Sequence, residues 1–122
     1  MNGNPSAAQD RFQNIHQRQL GCVKTGSPNV VIHHIIGSKW NPKGLKKLKC
    51  GEWFTIPVHP DVHTAIHKHE YDFYQEREWW LQNLAKYEEV FNKPHPVPSE
   101  LIRYVNDMKN GKDVPKGFYG CE

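Results

Sequence analysis

The stretch Val30-Val31-Ile32-His33-His34 is an apolar, β-branched run that ends in two adjacent histidines. Such residues favour extended backbone, so the run predicts a strand. A second stretch, Pro60-Asp61-Val62-His63-Thr64-Ala65-Ile66-His67, carries two histidines four positions apart. If Pro60 begins a helix there, both rings project from one face about one turn apart. The two stretches predict a strand and a helix that each present histidines.

Two imidazoles at this helical spacing can share a metal ion, and imidazole is a common metal ligand. Successive side chains of a strand point to opposite sides, so His33 and His34 cannot both face one metal equally. One of them is therefore expected to bind the metal and the other to act as a general base, because a free imidazole titrates near neutral pH. His16, His69 and His95 fit no such pattern and are interpreted as ordinary histidines.

Length and composition predict one domain over residues 1–122 of the 122-residue chain. The sequence has no apolar run long enough for a membrane span, and its first residues lack the pattern of a signal peptide. Its three cysteines are odd in number and far apart, which favours reduced thiols. We therefore expect a cytoplasmic protein that does not associate with membranes.

Charge is distributed unevenly along the chain. Between Arg11 and Gly51 there is no acidic residue, and the basic residues there are Arg11, Arg18, Lys24, Lys39, Lys43, Lys46, Lys47 and Lys49. Such asymmetry is typical of a chain with a polyanionic partner, although a solvated basic surface without a partner is the alternative. Because the basic stretch flanks the adjacent histidines, we expect Lys39, Lys43, Lys46, Lys47 and Lys49 to contact nucleic acid.

Local patterns predict the remaining elements. Ser6 should cap a helix that Gly21 ends, and Ser99 should cap a last helix that Gly111 ends. Between them we expect hairpin arms at 22–24 and 30–35, an exposed loop at 37–51, a strand at 53–57, the histidine helix from residue 60, a long helix at 71–91 and an extended connector at 93–98. The tail at 112–122 should be loosely held. This order predicts an α+β fold with a core over about 20–70 and a helical part over about 71–110.

The spacing of these motifs resembles that of the HNH nucleases, also called ββα-metal nucleases. More narrowly, it is similar to the phage RecA-dependent recombination-enhancement nucleases, over residues 12–91. The matching segments are Gly21-Cys22, Ile32-His33-His34-Ile35, Trp53-Phe54-Thr55-Ile56-Pro57, His63 and Ile66-His67.

The resemblance implies a ββα-metal core with a flanking N-terminal helix and C-terminal helices. It also implies that His33, His63 and His67 hold one divalent metal ion, namely zinc, magnesium, manganese or nickel, and that His34 is the catalytic base. The implied activity is DNA endonuclease in phage recombination or DNA processing, within a phage or bacterial host cell and with a recombinase filament as a further partner. His59, four residues before His63, either lies just outside the ligand set or precedes the helix and caps it.

The chain departs from the family at three points. Cys22-Val23-Lys24-Thr25 lacks the second cysteine of a Cys-x-x-Cys, and Val58-His59 and Val62-His63 stand where relatives have Leu-Cys and His-His. No asparagine occupies the middle position of the HNH motif, where Glu52 or Phe54 lies. The missing asparagine favours an alternative, a nucleic-acid-binding module whose metal is structural. A third interpretation is a metal-binding adaptor between proteins.

Overall fold

The computed structural model describes residues 5–108, which form an α+β fold. The elements in chain order are α1 (residues 7–20), β1 (Val31–His34), a 3₁₀ turn (Lys46–Leu48), α2 (Cys50–Trp53), β2 (Thr55–Val58), α3 (Pro60–His67), α4 (Phe73–Phe91) and α5 (Ser99–Asp107). The predicted α+β class is confirmed. Gly111 and the tail at 112–122 lie outside the described residues.

Helix α1 begins and ends where its sequence predicts. The Ser6 hydroxyl accepts the Gln9 backbone N–H at 3.2 Å, and the Gln9 side chain accepts the Ser6 N–H at 2.9 Å, which forms a capping box. Gly21 ends the helix at φ 84°. The middle of α1, Phe12–Gln17, is π-helical, a feature that apolar periodicity does not reveal.

The sheet pairs β1 with β2 in antiparallel order, with His33 opposite Ile56 and His34 opposite Thr55. The predicted hairpin between 22–24 and 30–35 is therefore wrong. Residues 22–26 form a tight turn closed by a 2.9 Å bond from the Gly26 N–H to the Cys22 carbonyl. That turn only touches the sheet, through a bond of 3.0 Å from the Val23 N–H to the Pro57 carbonyl.

The segment between β1 and β2 has its exposed residues between 39 and 47, whereas both of its ends are buried. The predicted loop at 37–51 turns inward at Cys50, where a short buried helix, α2, begins. The backbone N–H of Cys50 donates to the Asn41 side chain and that of Gly51 to the Trp40 carbonyl. Gly51 packs so closely on Gly37 that a Cβ would overlap its carbonyl. Strand β2 consequently begins at Thr55 and not at Trp53 as predicted.

Helices α3 and α4 form as the sequence predicts, and α5 begins differently. Pro60 is the first residue of α3, and the Asp72 carboxylate caps α4 by accepting the Gln75 N–H at 2.9 Å. Ser99 is the first residue of α5 and not its cap, because Pro98 holds the cap position and no side chain accepts there.

The core combines aromatic and aliphatic side chains of several elements. Its largest fully buried members include Trp80, Tyr87, Phe12, Phe54, Ile35, Ile56, Ile66 and Leu101. The Trp80 indole N–H donates to the Trp53 carbonyl at 3.0 Å, so α4 is hydrogen-bonded to the last residue of α2, just before β2. Cys22 and Cys50 are free thiols in this core. Among the described residues, no helix is long and apolar enough to cross a membrane.

Candidate metal centre

Three of the predicted histidines come together where β1 meets α3. His33 comes from the strand, and His63 and His67 come from successive turns of the helix. One ring nitrogen from each lies within 4.8 Å of the others. The strand and the helix therefore bring together histidines that are thirty or more residues apart in the sequence.

Exposure increases across the three rings. His33 is buried with 3% of its surface accessible, His63 is partly buried, and His67 is exposed. The Nε2 atoms of His63 and His67 are 3.1 Å apart, and the His33 and His63 ring centres are 5.3 Å apart. The cluster is thus closed on the strand side and open to solvent on the helix side, as an accessible metal site requires.

Glu76 on α4 orients the buried ring of the cluster. Its Oε1 lies 2.9 Å from His33 Nε2, and both side chains are buried. When Nε2 donates to the carboxylate, the Nδ1 lone pair of His33 is left for a metal. Metal-binding histidines commonly donate their other ring N–H to a carboxylate in this way.

The protonation of the cluster also suits metal binding. Burial lowers the pKa of His33 to about 3, with further lowering by the charges of His63, His67 and His34. Burial, and then the charge of His67, lower the pKa of His63. Because a metal binds only the neutral imidazole, these shifts keep ligand lone pairs available at neutral pH.

The donor set therefore fits a divalent metal ion. Three imidazoles are the protein ligands of known catalytic zinc sites, in which a fourth position takes water or substrate. Imidazole also suits nickel, copper and iron, whereas magnesium prefers oxygen ligands. His33, His63 and His67 could hold one such ion, and the donor set favours a transition metal over magnesium.

His34 lies on the same strand but contacts a different partner. Its Nε2 is 2.9 Å from Oε1 of Glu52, a buried residue of α2, while 28% of its own side chain is exposed. The Gln13 side-chain amide donates to the same Glu52 oxygen at 3.0 Å and to the Glu52 carbonyl at 2.7 Å. As strand alternation predicts, His33 and His34 have separate environments.

His59 caps the histidine helix. Its Nδ1 accepts the Asp61 backbone N–H at 3.1 Å from the N-cap position of α3. Among the described residues, the group able to hold a metal consists of His33, His63 and His67 and does not include His59. Of the two interpretations of His59, the structure shows the cap.

The basic residues of the segment between β1 and β2 are mostly accessible to solvent. Lys39, Lys43, Lys46 and Lys47 are exposed, while Lys49 is half-buried and has left-handed backbone at φ 51°. The Lys49 carbonyl accepts the Gln9 side-chain N–H at 3.0 Å, which fixes the end of the segment three residues before Glu52. The exposed lysines thus belong to the segment that also supplies the partner of His34.

Glu52 and Glu76 were missed as site residues from the sequence. Glu76 had a detectable signal, because it is a carboxylate on the otherwise apolar face that Phe73 and Trp80 define on α4. Such a charge is rarely buried without a partner. Glu52 had a weaker signal, since it lies between the predicted loop at 37–51 and the predicted strand at 53–57.

The chain was also compared with known proteins, and no protein-family model, curated protein or solved structure matches it. The resemblance to the HNH nucleases therefore stays a prediction based on the residues themselves.

Proposed function

We propose that this protein is a metal-dependent endonuclease of the ββα-metal type that hydrolyses phosphodiester bonds in DNA. The observation that carries the proposal is the cluster of His33, His63 and His67 beside a carboxylate-bound His34 on the same strand. A metal-ligand set and a separate histidine base are the two parts that this hydrolysis needs. The antiparallel β1 and β2 followed by α3 support assignment to the ββα-metal class.

In the proposed reaction, His34 acts as the general base. Its Nδ1 takes a proton from water, the water oxygen bonds to phosphorus, and the bond from phosphorus to one ester oxygen breaks. That oxygen leaves with a proton from solvent, and His34 returns its own proton to solvent. His33, His63 and His67 would hold the metal, which offsets negative charge on the phosphoryl and leaving oxygens when bound.

DNA binding in this proposal comes mainly from Lys39, Lys43, Lys46 and Lys47. They are exposed, and no acidic residue occurs among residues 11–51. Contacts from lysines to phosphates give affinity without reading the base sequence. A role in phage recombination, with a recombinase filament as a partner, is supported by the family resemblance alone.

A nicking assay on supercoiled plasmid tests this function. We expect cleavage that EDTA abolishes and that added zinc, nickel, manganese or magnesium restores, with about one tightly bound metal per chain. The His63→Ala, His67→Ala double variant should lose both metal and cleavage. His95→Ala, which removes a histidine outside the cluster, is the matched control and should retain both. An unchanged metal content in the double variant would eliminate the site.

The second candidate is a nucleic-acid-binding module with a structural metal. The absence of an asparagine at the middle of the HNH motif favours it. It predicts DNA binding that salt weakens, without nicking under any metal, and loss of folding when EDTA removes the metal. A protein that holds metal but does not bind DNA would instead fit the adaptor between proteins.

A further inference from the structure

We propose that Gln13 and Glu52 are positioning residues that set the tautomer of His34, with the proton on Nε2 and the lone pair on Nδ1. This inference rests on the proposed function, because the tautomer matters when His34 acts as a base. It also gives α1, whose sequence predicted a helix without a role in the site, a part in positioning His34.

The position of Glu52 determines which ring nitrogen carries the proton. Its Oε1 is 2.9 Å from His34 Nε2, and only 3% of the residue is exposed. A carboxylate can only accept hydrogen bonds, so the nitrogen facing it must be the donor. The other nitrogen, Nδ1, then holds the lone pair that removes a proton from water.

Gln13 keeps the Glu52 carboxylate in place. Its amide nitrogen donates both to Glu52 Oε1 and to the Glu52 backbone carbonyl, so one side chain ties the two ends of that residue together. Gln13 itself is buried and belongs to the π-helical part of α1. Helices with a π turn often carry functional side chains at that point.

The neighbours of Gln13 on α1 reinforce this arrangement. Gln9 donates to the Leu48 and Lys49 carbonyls, and Gln17 donates to the Thr55 hydroxyl at 2.8 Å. The three glutamines thus bind the chain before, at and after Glu52. This leaves the buried carboxylate little freedom to rotate away from His34.

Replacing the carboxylate by an amide should disturb the tautomer once Gln13 is also replaced. In Glu52→Gln alone, the Gln13 amide would keep the new amide oxygen toward His34, because Gln13 and His34 share that acceptor. In the Gln13→Met, Glu52→Gln double variant, the new NH₂ group can instead donate to His34 Nε2, which would then accept and move the proton to Nδ1. A ring protonated on Nδ1 cannot take a proton from water at that atom. In serine proteases, the same change in the carboxylate that orients the base lowers kcat by about 10⁴-fold.

The experiment measures ring ¹⁵N chemical shifts of His34 in zinc-loaded protein, together with nicking rates. We expect the Nε2–H tautomer in the wild type and in Glu52→Gln, and a shift toward Nδ1–H in the Gln13→Met, Glu52→Gln double variant. In the double variant kcat should fall by about 10²- to 10⁴-fold with KM little changed. Glu52→Asp, which keeps the charge, should recover part of the rate. In a His34→Ala background, the Gln13→Met, Glu52→Gln pair should have no further effect on the residual rate.

Gln17→Met is the matched control, because it removes a neighbouring buried hydrogen bond, from the Gln17 amide to the Thr55 hydroxyl, that does not involve Glu52. It should lower stability without changing the tautomer of His34. A wild-type Nδ1–H tautomer, or the same tautomer in the wild type and the Gln13→Met, Glu52→Gln double variant, overturns the inference. The wild-type spectrum decides the point even if the double variant does not fold. If wild type shows Nε2–H but never nicks DNA, the proposed function fails while the positioning by Glu52 stands.

Discussion

At the scale of single residues, His33 and His34 are neighbours whose surroundings suit different tasks. His33 is almost fully buried against Glu76, so its ring has one fixed orientation and faces two further imidazoles. His34 is hydrogen-bonded to Glu52 through Nε2, and its side chain is partly exposed to solvent. A ligand needs the first environment and a base needs the second.

Replacing each of the two histidines with alanine should therefore affect different properties, namely cleavage for His34 and metal affinity for His33. His34→Ala should retain metal and DNA binding and lose cleavage by about 10²- to 10⁴-fold, the usual effect of removing a general base. His33→Ala should lower metal affinity and regain part of its cleavage at high metal concentration. Metal titration and plasmid nicking measure both. If His34→Ala lost the metal and His33→Ala kept it, the two roles would be exchanged.

Acid should destabilise the metal-free protein through His33. Its pKa is lowered to about 3 in the folded protein, against 6.5 for the free side chain, so the unfolded chain binds a proton that the folded protein excludes. This contribution is present in full above pH 6.5 and is lost as the pH falls from 6.5 toward 3. Between pH 7 and 5 it amounts to about 2 kcal/mol.

Urea denaturation in EDTA at both pH values measures this loss. His33→Gln should lose less stability than the wild type over the same interval, because glutamine does not titrate. His95→Gln is the control and should follow the wild type. Equal losses in wild type and His33→Gln would show that the buried ring does not resist protonation.

The ligand residues could be predicted from the sequence, whereas their carboxylate partners could not. The i,i+4 pair is a local pattern that places His63 and His67 on one helix face. Strand alternation left open which of His33 and His34 faces a metal, and the resemblance to the HNH nucleases assigned His33. Glu76 is 43 residues from His33 and Glu52 is 18 residues from His34. Those pairings depend on how α4 and α2 pack, and no local pattern contains that information.

At the scale of elements, local signals predicted helices better than strand pairing. Caps and apolar periodicity predicted α1, α3 and α4, because the bonds that start and stop a helix join residues close in sequence. The partner of β1 was assigned to the nearest extended segment. Its true partner, β2, lies beyond the lysine-bearing segment and α2. The turn-forming residues at 26–29 favoured the hairpin that proved wrong. The residues predicted as its first arm, 22–24, instead belong to the tight turn at 22–26.

The lysine-bearing segment yields a prediction at this scale. Replacing Lys39, Lys43, Lys46 and Lys47 with alanine should weaken DNA binding across sequences and reduce its dependence on salt. Each lost phosphate contact should lower the slope of log K against log salt by about 0.9. Metal content should not change, since these side chains are exposed. Fluorescence anisotropy at several salt concentrations gives the slope.

Lys93→Ala is the control for this change, because Lys93 is exposed beyond α4 and outside the basic half of the chain. Lys93→Ala should leave the salt slope unaltered, whereas Lys47→Ala alone should reduce it. Equal slopes for the quadruple variant and the wild type would mean that the segment faces away from DNA.

At the scale of the whole molecule, α4 links the site to the rest of the fold. Glu76 bonds to His33, the Arg77 guanidinium bonds to carbonyls of Val105 and Met108 beside α5, and Trp80 bonds to the carbonyl before β2. Further along the helix, the Tyr87 hydroxyl contacts His16 of α1 at 3.3 Å. The centre of this helix should therefore affect both the free energy of unfolding and the geometry of the histidine cluster.

Trp80 is the residue that tests this dependence. It is fully buried, and its ring packs against Phe54 with centroids 4.8 Å apart. Trp80→Ala should lower the free energy of unfolding by about 3–5 kcal/mol through loss of buried surface and a residual cavity. Trp80→Phe keeps a ring but leaves the Trp53 carbonyl without its donor, which should cost about 1–3 kcal/mol. Val90→Ala, at a position 53% exposed, should change stability by about 0.5 kcal/mol or less.

The same variants show whether the site and the core unfold together. Because Glu76 stands one helical turn before Trp80 on α4, metal release and loss of helical circular dichroism should have one common midpoint in urea. Trp80→Ala should shift both transitions equally to lower urea. A variant that lost its helical signal while still holding metal would show that β1 and α3 form the histidine cluster without support from α4, and Glu76 would then be dispensable for metal binding.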